Sequence, residues 1–201
     1  MEKLVGSILL GLVLLSCTNR QQRLPFLGNP VVKGQDTLYP KIKNFTFIDQ
    51  DSITVTNKTF DGKIYIADFI FLSCPTICPK MTVEMLAVYH KYQNNPDVAF
   101  LSHTIDPEQD TIKRLKAYSE NLGITGKWHF VTGNKENIYK MATESYFMTA
   151  YPDAKEPGGY VHSGGLLLID RNRHIRGVYD GTNPQETKRL IADIALLLKE
   201  K

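Results

Sequence analysis

Residues 67–82, "ADFIFLSCPTICPKMT", govern how the rest of the chain is read. An apolar run ends in two cysteines, Cys74 and Cys78, each followed directly by a proline, and the amphipathic pattern "KMTVEMLAVYHKYQ" begins at once. That order predicts a strand, a loop carrying the cysteines and then a helix, at the carboxyl end of a strand where open α/β sheets hold their sites. Pro75 and Pro79 disfavour helical backbone at Cys74 and Cys78, while Pro79 itself suits a first helical position. Cys78 is therefore expected as the N-cap residue, with Cys74 in the loop before it. A helix amino terminus stabilises a thiolate, which serves nucleophilic chemistry and metal binding alike.

The spacing between the sulfurs is C-x-x-x-C. The loop still permits a disulfide, which needs about 4 to 7 Å between α-carbons, and it also lets two thiolates take adjacent corners around one ion. Taken alone, the spacing leaves a redox dithiol, a metal clamp and a structural disulfide open.

Outward from this stretch the patterns alternate. "NFTFIDQDSITVT" reads as an early hairpin, "KIYIADFIF", "VAFLSHTI" and "WHFVT" as strands, and "DTIKRLKAYSENLG" as a helix ended by Gly123. "KENIYKMATESY" reads as a short helix, "GGLLLID" and "HIRGVY" as strands around a turn at "RNR", and Pro184 to Lys199 as a last helix capped by Asn183. The expected fold class is α/β, a thioredoxin-like mixed sheet flanked by helices with an N-terminal hairpin extension.

The chain has 201 residues and a formal net charge of +3 with both signs interspersed, which fits one domain and gives no basic stripe for nucleic acid. Its start, "MEKLVGSILLGLVLLSCTNRQQ", joins a lysine to an apolar run, Leu4 to Leu15, too short to span a bilayer comfortably. "LLSC" resembles a bacterial lipobox, in which residues 1–16 are a signal peptide and Cys17 carries lipid. Residues 17–40 have no period and several turn formers, as a lipidated tether would, and the domain is expected at 41–201. This places the domain outside the cytoplasm, in a bacterial cell envelope and on its periplasmic side. There a dithiol tends to be oxidised unless something occupies its sulfurs.

A metal held by two thiolates usually needs a third ligand. Of the five histidines, His90 falls late in the amphipathic helix and His174 in a basic turn, which suits exposed or capping roles. His129 and His103 lie in strands as core or surface positions. His162 differs: "EPGGYVHSGGLLLID" delivers it through a glycine-rich loop to the beginning of an apolar strand, so its side chain can face a site built by another strand's end. Met141 and Met148 are soft donors, but beside aromatic neighbours they read as core filler.

"FLSCPTICPKM", "HTIDPEQDT", "WHFVTG" and "YVHSGGLLLIDRNRHIRGVYDGT", in this order and with these separations, resemble the Sco/SenC family of copper-binding, thioredoxin-like assembly proteins, over roughly Phe45 to Lys199. The resemblance implies that Cys74, Cys78 and His162 bind copper, as Cu(I) and Cu(II). It further implies that a membrane-tethered domain passes the ion to the copper-receiving subunit of a respiratory haem–copper oxidase, at its binuclear copper centre; the domain is expected to be a monomer. Asp106 becomes a candidate for site support or partner contact, while Asp110 and Thr111 look like helix-start residues. Two positions depart from the family pattern. Val161 stands where an acidic residue often precedes the ligand histidine, and Thr76 stands where an aspartate often lies between the cysteines.

Asp68 supports a second reading. "ADFIFLSC" resembles thioredoxins in carrying an aspartate six residues before the first cysteine, where it helps move protons during disulfide exchange. Buried beneath Cys78 it would act as base toward the resolving thiol; at a solvated strand edge it would not. The alternative function is accordingly an extracytoplasmic thiol–disulfide oxidoreductase that reduces the cysteines of the same oxidase site. A sensor or interaction domain using the dithiol as a signal is a third. A peroxiredoxin would need a P-x-x-x-T-x-x-C loop, which does not precede Cys74.

Overall fold

The computed structural model describes residues 23–200. The expected signal peptide and Cys17 lie outside the described residues. β1 (Val31–Lys33) and β2 (Asp36–Leu38) form a small hairpin, and β3 (Thr46–Asp49) with β4 (Thr54–Thr56) form the second, followed by a 3-10 turn at Asn57–Phe60. Then come β5 (Ile64–Ile70), α1 (Cys78–Tyr92), β6 (Val98–Thr104), α2 (Ile112–Asn121), β7 (Trp128–Thr132) and α3 (Lys135–Lys140), which runs into a π-helical turn at Met141–Ser145. A third hairpin, β8 (Ala150–Pro152) with β9 (Tyr160–His162), precedes β10 (Gly165–Ile169), β11 (Ile175–Asp180) and α4 (Pro184–Leu197).

Seven strands make one mixed sheet in the order β11-β10-β5-β6-β7-β3-β4. The centre, β5-β6-β7, is parallel, and the flanking pairs are antiparallel. Every residue of β5 and β6 is buried, as expected of parallel strands covered on both faces. One face carries Phe100 and Trp128 against Tyr89 of α1; the other carries Phe69 and His103 against Tyr146 of the π-helical turn. This is the thioredoxin-like mixed sheet expected, with its β3–β4 hairpin extension.

Two helix starts follow the capping chemistry. Asn183 accepts from the Gln185 amide ahead of Pro184, and Thr111 accepts from the Arg114 amide to open α2. The start of α1 differs from expectation by one residue. Ile77 is the N-cap, with near-helical φ −90° and ψ −34°, and Cys78 is the first helical residue. Pro79 falls second, where its missing N–H costs nothing because first-turn amides have no intrahelical acceptor. The bias that Pro79 places on Cys78 is overcome by two hydrogen bonds, Met81 N to Ile77 O at 2.9 Å and Cys78 N to the Cys74 sulfur at 3.4 Å.

Candidate metal centre

Three elements build the site. The loop leaving β5 is fixed from below: Asp110 Oδ2 accepts from the Leu72 amide at 3.0 Å and from the Thr104 hydroxyl at 2.6 Å. The Arg114 guanidinium lies 3.4 Å from the other carboxylate oxygen. Asp110 thus ties the cysteine loop to the end of β6, and Cys74 N donates to Phe71 O to close the turn above it. Helix α1 contributes Cys78. The β8–β9 hairpin contributes His162, which is paired across from Ala150 and held where Ser163 and Thr149 exchange hydrogen bonds.

The approach of β9 depends on one glycine. Gly158 has φ +84°, and a Cβ there would lie 2.7 Å from the Phe71 ring, so only glycine lets the loop close on the cysteine side. The Phe71 ring in turn meets His162 edge-on, with centroids 5.4 Å apart and planes at 79°, and packs against Tyr160 at 5.1 Å. With Val161 in place of an acidic residue, the buried Nδ1 of His162 has no hydrogen-bond partner. Aromatic packing orients the ring instead.

The result is a triangle. His162 Nε2 lies 3.3 Å from the Cys78 sulfur and 3.9 Å from the Cys74 sulfur, and the three donor atoms all fall within 4.8 Å of one another. Donors each about 2.0 to 2.3 Å from a shared ion are themselves separated by no more than about 4.6 Å, so the triangle can close around one metal. Both thiols are free and buried, and an open cleft of about 220 Å³, lined by Phe71, Cys74, Thr76, Tyr160 and His162, leads to Cys74 and the imidazole.

The two sulfurs differ electrostatically. Burial raises the Cys74 thiol, but hydrogen bonds from His162, from the Cys78 and Thr76 backbone and from Cys78 outweigh it and lower its pKa to about 6. Cys78 moves up, chiefly by burial and further by the neighbouring charges of Cys74 and Asp68. Asp68, only 2% exposed, sits in the central strand opposite Ser102 of β6. Burial pushes its pKa up to about 7 against a lowering contribution from Ser102.

The structure brings Cys74, Cys78 and His162 together and sets Asp68 behind them. Asp106 is buried and stands apart from the triangle; its effect falls on Tyr160 of β9, whose hydroxyl pKa burial raises first and Asp106 raises further. His103 is fully buried and stacked on Phe69, His129 pairs with Asp49 at 2.8 Å, His174 lies beside Asp170, and His90 is exposed. Met141 and Met148 are in the core. Sequence reasoning missed Asp110, read there as a helix-start residue. Thr111 alone caps α2, so an aspartate directly before it had no capping duty left, and that redundancy was the available signal.

Fold and site define a thioredoxin-like domain with a thiol–thiol–imidazole metal centre at the carboxyl end of its central strand. Residues 34–199 match the SCO1/SenC family model, and the chain belongs to that family. A SCO1/SenC family lipoprotein from Bacillus anthracis has a solved structure similar to this one, at 28% identity and a TM-score of 0.73 over 79% of this chain and 95% of that one. BsSco, described as a member of the Sco family of cytochrome c oxidase assembly proteins and as having a disulfide switch, aligns at 27% identity and a TM-score of 0.72 over 90% and 100% of the two chains. ScoI of Arabidopsis thaliana, solved with copper bound, aligns at 26% identity and a TM-score of 0.63 over 76% and 97%.

Proposed function

We propose that this protein is a membrane-tethered copper chaperone in which Cys74, Cys78 and His162 hold the ion and deliver it to the copper-receiving subunit of a haem–copper oxidase. The observation that carries this reading is the convergence of two sulfurs and one imidazole nitrogen within 4.8 Å. Soft thiolates suit Cu(I), and the added imidazole makes the site acceptable to Cu(II). Among the described residues no fourth His, Cys, Asp or Glu joins the cluster, which disfavours a closed structural zinc cage and suits a metal that must leave by ligand exchange. Support also comes from the copper-bound plant relative and from the assembly role ascribed to BsSco. The reading includes cleavage of residues 1–16, lipid on Cys17, a tether that starts there and is docked on the domain from Leu24 onward, and a monomeric domain on the periplasmic side; the lipoprotein relative supports the anchor.

The test is titration of the reduced protein with Cu(I) without oxygen and with Cu(II) in air, comparing wild type with His162→Ala. One tight equivalent is expected for each ion, with a thiolate-to-Cu(II) charge-transfer band. The variant should lose Cu(II) far more than Cu(I), and equal loss of both would overturn the reading.

A second reading rests on Asp68. In a thiol–disulfide oxidoreductase the Cys74 thiolate attacks a partner disulfide and forms a mixed disulfide. Asp68 takes the proton of Cys78, and Cys78 attacks the Cys74 sulfur, releasing the partner's dithiol and leaving the pair oxidised. The low pKa of Cys74 and the buried carboxyl beneath Cys78 favour that sequence. Asp68→Asn should then slow exchange while copper affinity survives.

A further inference from the structure

The N-terminal segment of the described chain is clamped at one place. Arg176, 4% exposed, donates to Leu24 O at 2.6 Å and Pro25 O at 3.1 Å while its guanidinium pairs with Asp170 at 3.0 Å and Glu200 at 2.9 Å. The Leu24 amide returns a hydrogen bond to Glu200, Leu27 N donates to Ile175 O, and the Phe26 ring lies under the guanidinium at 4.3 Å. This holds residues 24–27 to the beginning of β11. The register places that position far from the metal centre: Ile175 pairs with Ile169, and Ile169 pairs with Tyr65, near the start of β5, whereas the cysteine loop leaves β5 after Ile70.

Chain length turns the clamp into a constraint. From Cys17 to Lys41 the sequence could reach about 80 Å fully extended, but from Cys17 to Leu24 it reaches only about 25 Å. Next to the clamp stands the β1–β2 hairpin, all six of whose strand residues are exposed. A lone two-stranded hairpin is marginal in water. Here it presents Val32 at 70% exposure, and Val31 at 56% beside its cross-strand partner Leu38, with Tyr39 stacked on the clamped Phe26 at 5.0 Å. Arg23, Lys33 and Lys41 are exposed around it against one exposed carboxylate, Asp36, which lies across the hairpin from Lys33; the balance is positive, the sign that anionic head groups attract.

We propose that the β1–β2 hairpin seats the domain on the surface of the anionic phospholipid bilayer to which it is tethered, with the Arg176 clamp fixing its orientation so that the cysteine–histidine centre faces away from the lipid. The proposal rests on the membrane anchoring put forward above. It gives the exposed aliphatic side chains a partner that the tether itself brings within reach.

The test uses the full chain, signal processed and N-terminus intact, in vesicles of phosphatidylethanolamine and phosphatidylglycerol with brominated acyl chains. Val32→Trp reports on the hairpin and Val83→Trp, at an exposed position beside the metal centre, on the opposite end. The natural Trp128 is 1% exposed and supplies a constant background. Lipid quenching of Val32→Trp is expected to exceed that of Val83→Trp several-fold. Equal quenching, with the chain in the vesicle fraction, overturns the seating and leaves the anchoring intact. A Val32→Trp signal that is blue-shifted yet unquenched means that protein, not lipid, covers the hairpin, and also overturns it. A chain found in the supernatant overturns the anchoring and the seating together.

Discussion

Asp68→Asn should make the protein more stable, by an amount that grows with pH. Burial places the Asp68 pKa at about 7 in the folded protein, against 3.8 for the free side chain; that gap corresponds to about 4 kcal/mol. The folded chain keeps a proton through this window that the unfolded chain has already lost. The stability due to the protonated carboxyl is therefore complete below about pH 4, falls as pH rises and is fully lost above about pH 7. Asparagine has nearly the same shape and no charge to lose, so the variant lacks this slope. The difference between variant and wild type should widen by about 2 to 3 kcal/mol between pH 5 and pH 8, roughly 1 M in a urea midpoint. The assay is urea unfolding of the reduced, metal-free protein at several pH values, followed by the fluorescence of Trp128, whose indole nitrogen donates to the same Ser102 that faces Asp68. Subtracting the two curves removes groups that titrate alike in both proteins. A difference that stays constant from pH 5 to pH 8 would refute the reasoning, because it would mean that Asp68 is already ionised in the folded protein across that range.

Other substitutions probe how the site is held. Asp110→Ala orphans the Leu72 amide and the Thr104 hydroxyl and should cost about 3 kcal/mol in urea unfolding, whereas Asp110→Asn keeps an acceptor oxygen and should cost about 1 kcal/mol; equal losses would assign the effect to the ion pair with Arg114. His162→Ala removes a hydrogen bond that lowers Cys74, so the midpoint of its alkylation rate against pH should move up from about 6 toward the ordinary thiol range; an unmoved midpoint would show that the backbone donors suffice. Gly158→Ala, at φ +84° and with a Cβ 2.7 Å from the Phe71 ring, should displace the ring that seats His162. The expected result is weaker Cu(II) binding with Cu(I) binding largely kept, and unchanged Cu(II) affinity would separate ring placement from ligand placement.

What could be read from the sequence was local. The run from Ile64 through Tyr92 announces strand, loop and helix because its apolar pattern is long and its prolines sit at the junction. Even there the helix start was off by one residue, since a hydrogen bond to the Cys74 sulfur is invisible in a local preference. The β8–β9 hairpin escaped because its strands have three residues each, too few to establish alternation. The loop between them closes on Phe71, far away in sequence. Asp110 escaped for the same reason, as its partner Leu72 lies 38 residues upstream. The contact between Asp68 and Ser102 is a fact of register between two uniformly buried strands, which carry no polar alternation from which to set it.

The two readings of the site share one physical cause. The nearer sulfur to His162 is that of Cys78, yet the thiolate belongs to Cys74, because burial holds the proton on Cys78. On either reading, attack on a disulfide or capture of an incoming ion would therefore begin at Cys74 and be completed only when Cys78 gives up its proton. Asp68, protonating at about 7 behind that thiol, is the nearby group suited to receive it. For a bound metal the proton ends in solvent whichever group carries it first, so Asp68 bears on how fast Cys78 joins the ion and little on how tightly the ion is finally held. For disulfide exchange the same transfer lies on the path of every turnover. A carboxyl in that position is thus compatible with copper delivery, while only the oxidoreductase makes its proton transfer part of each catalytic cycle.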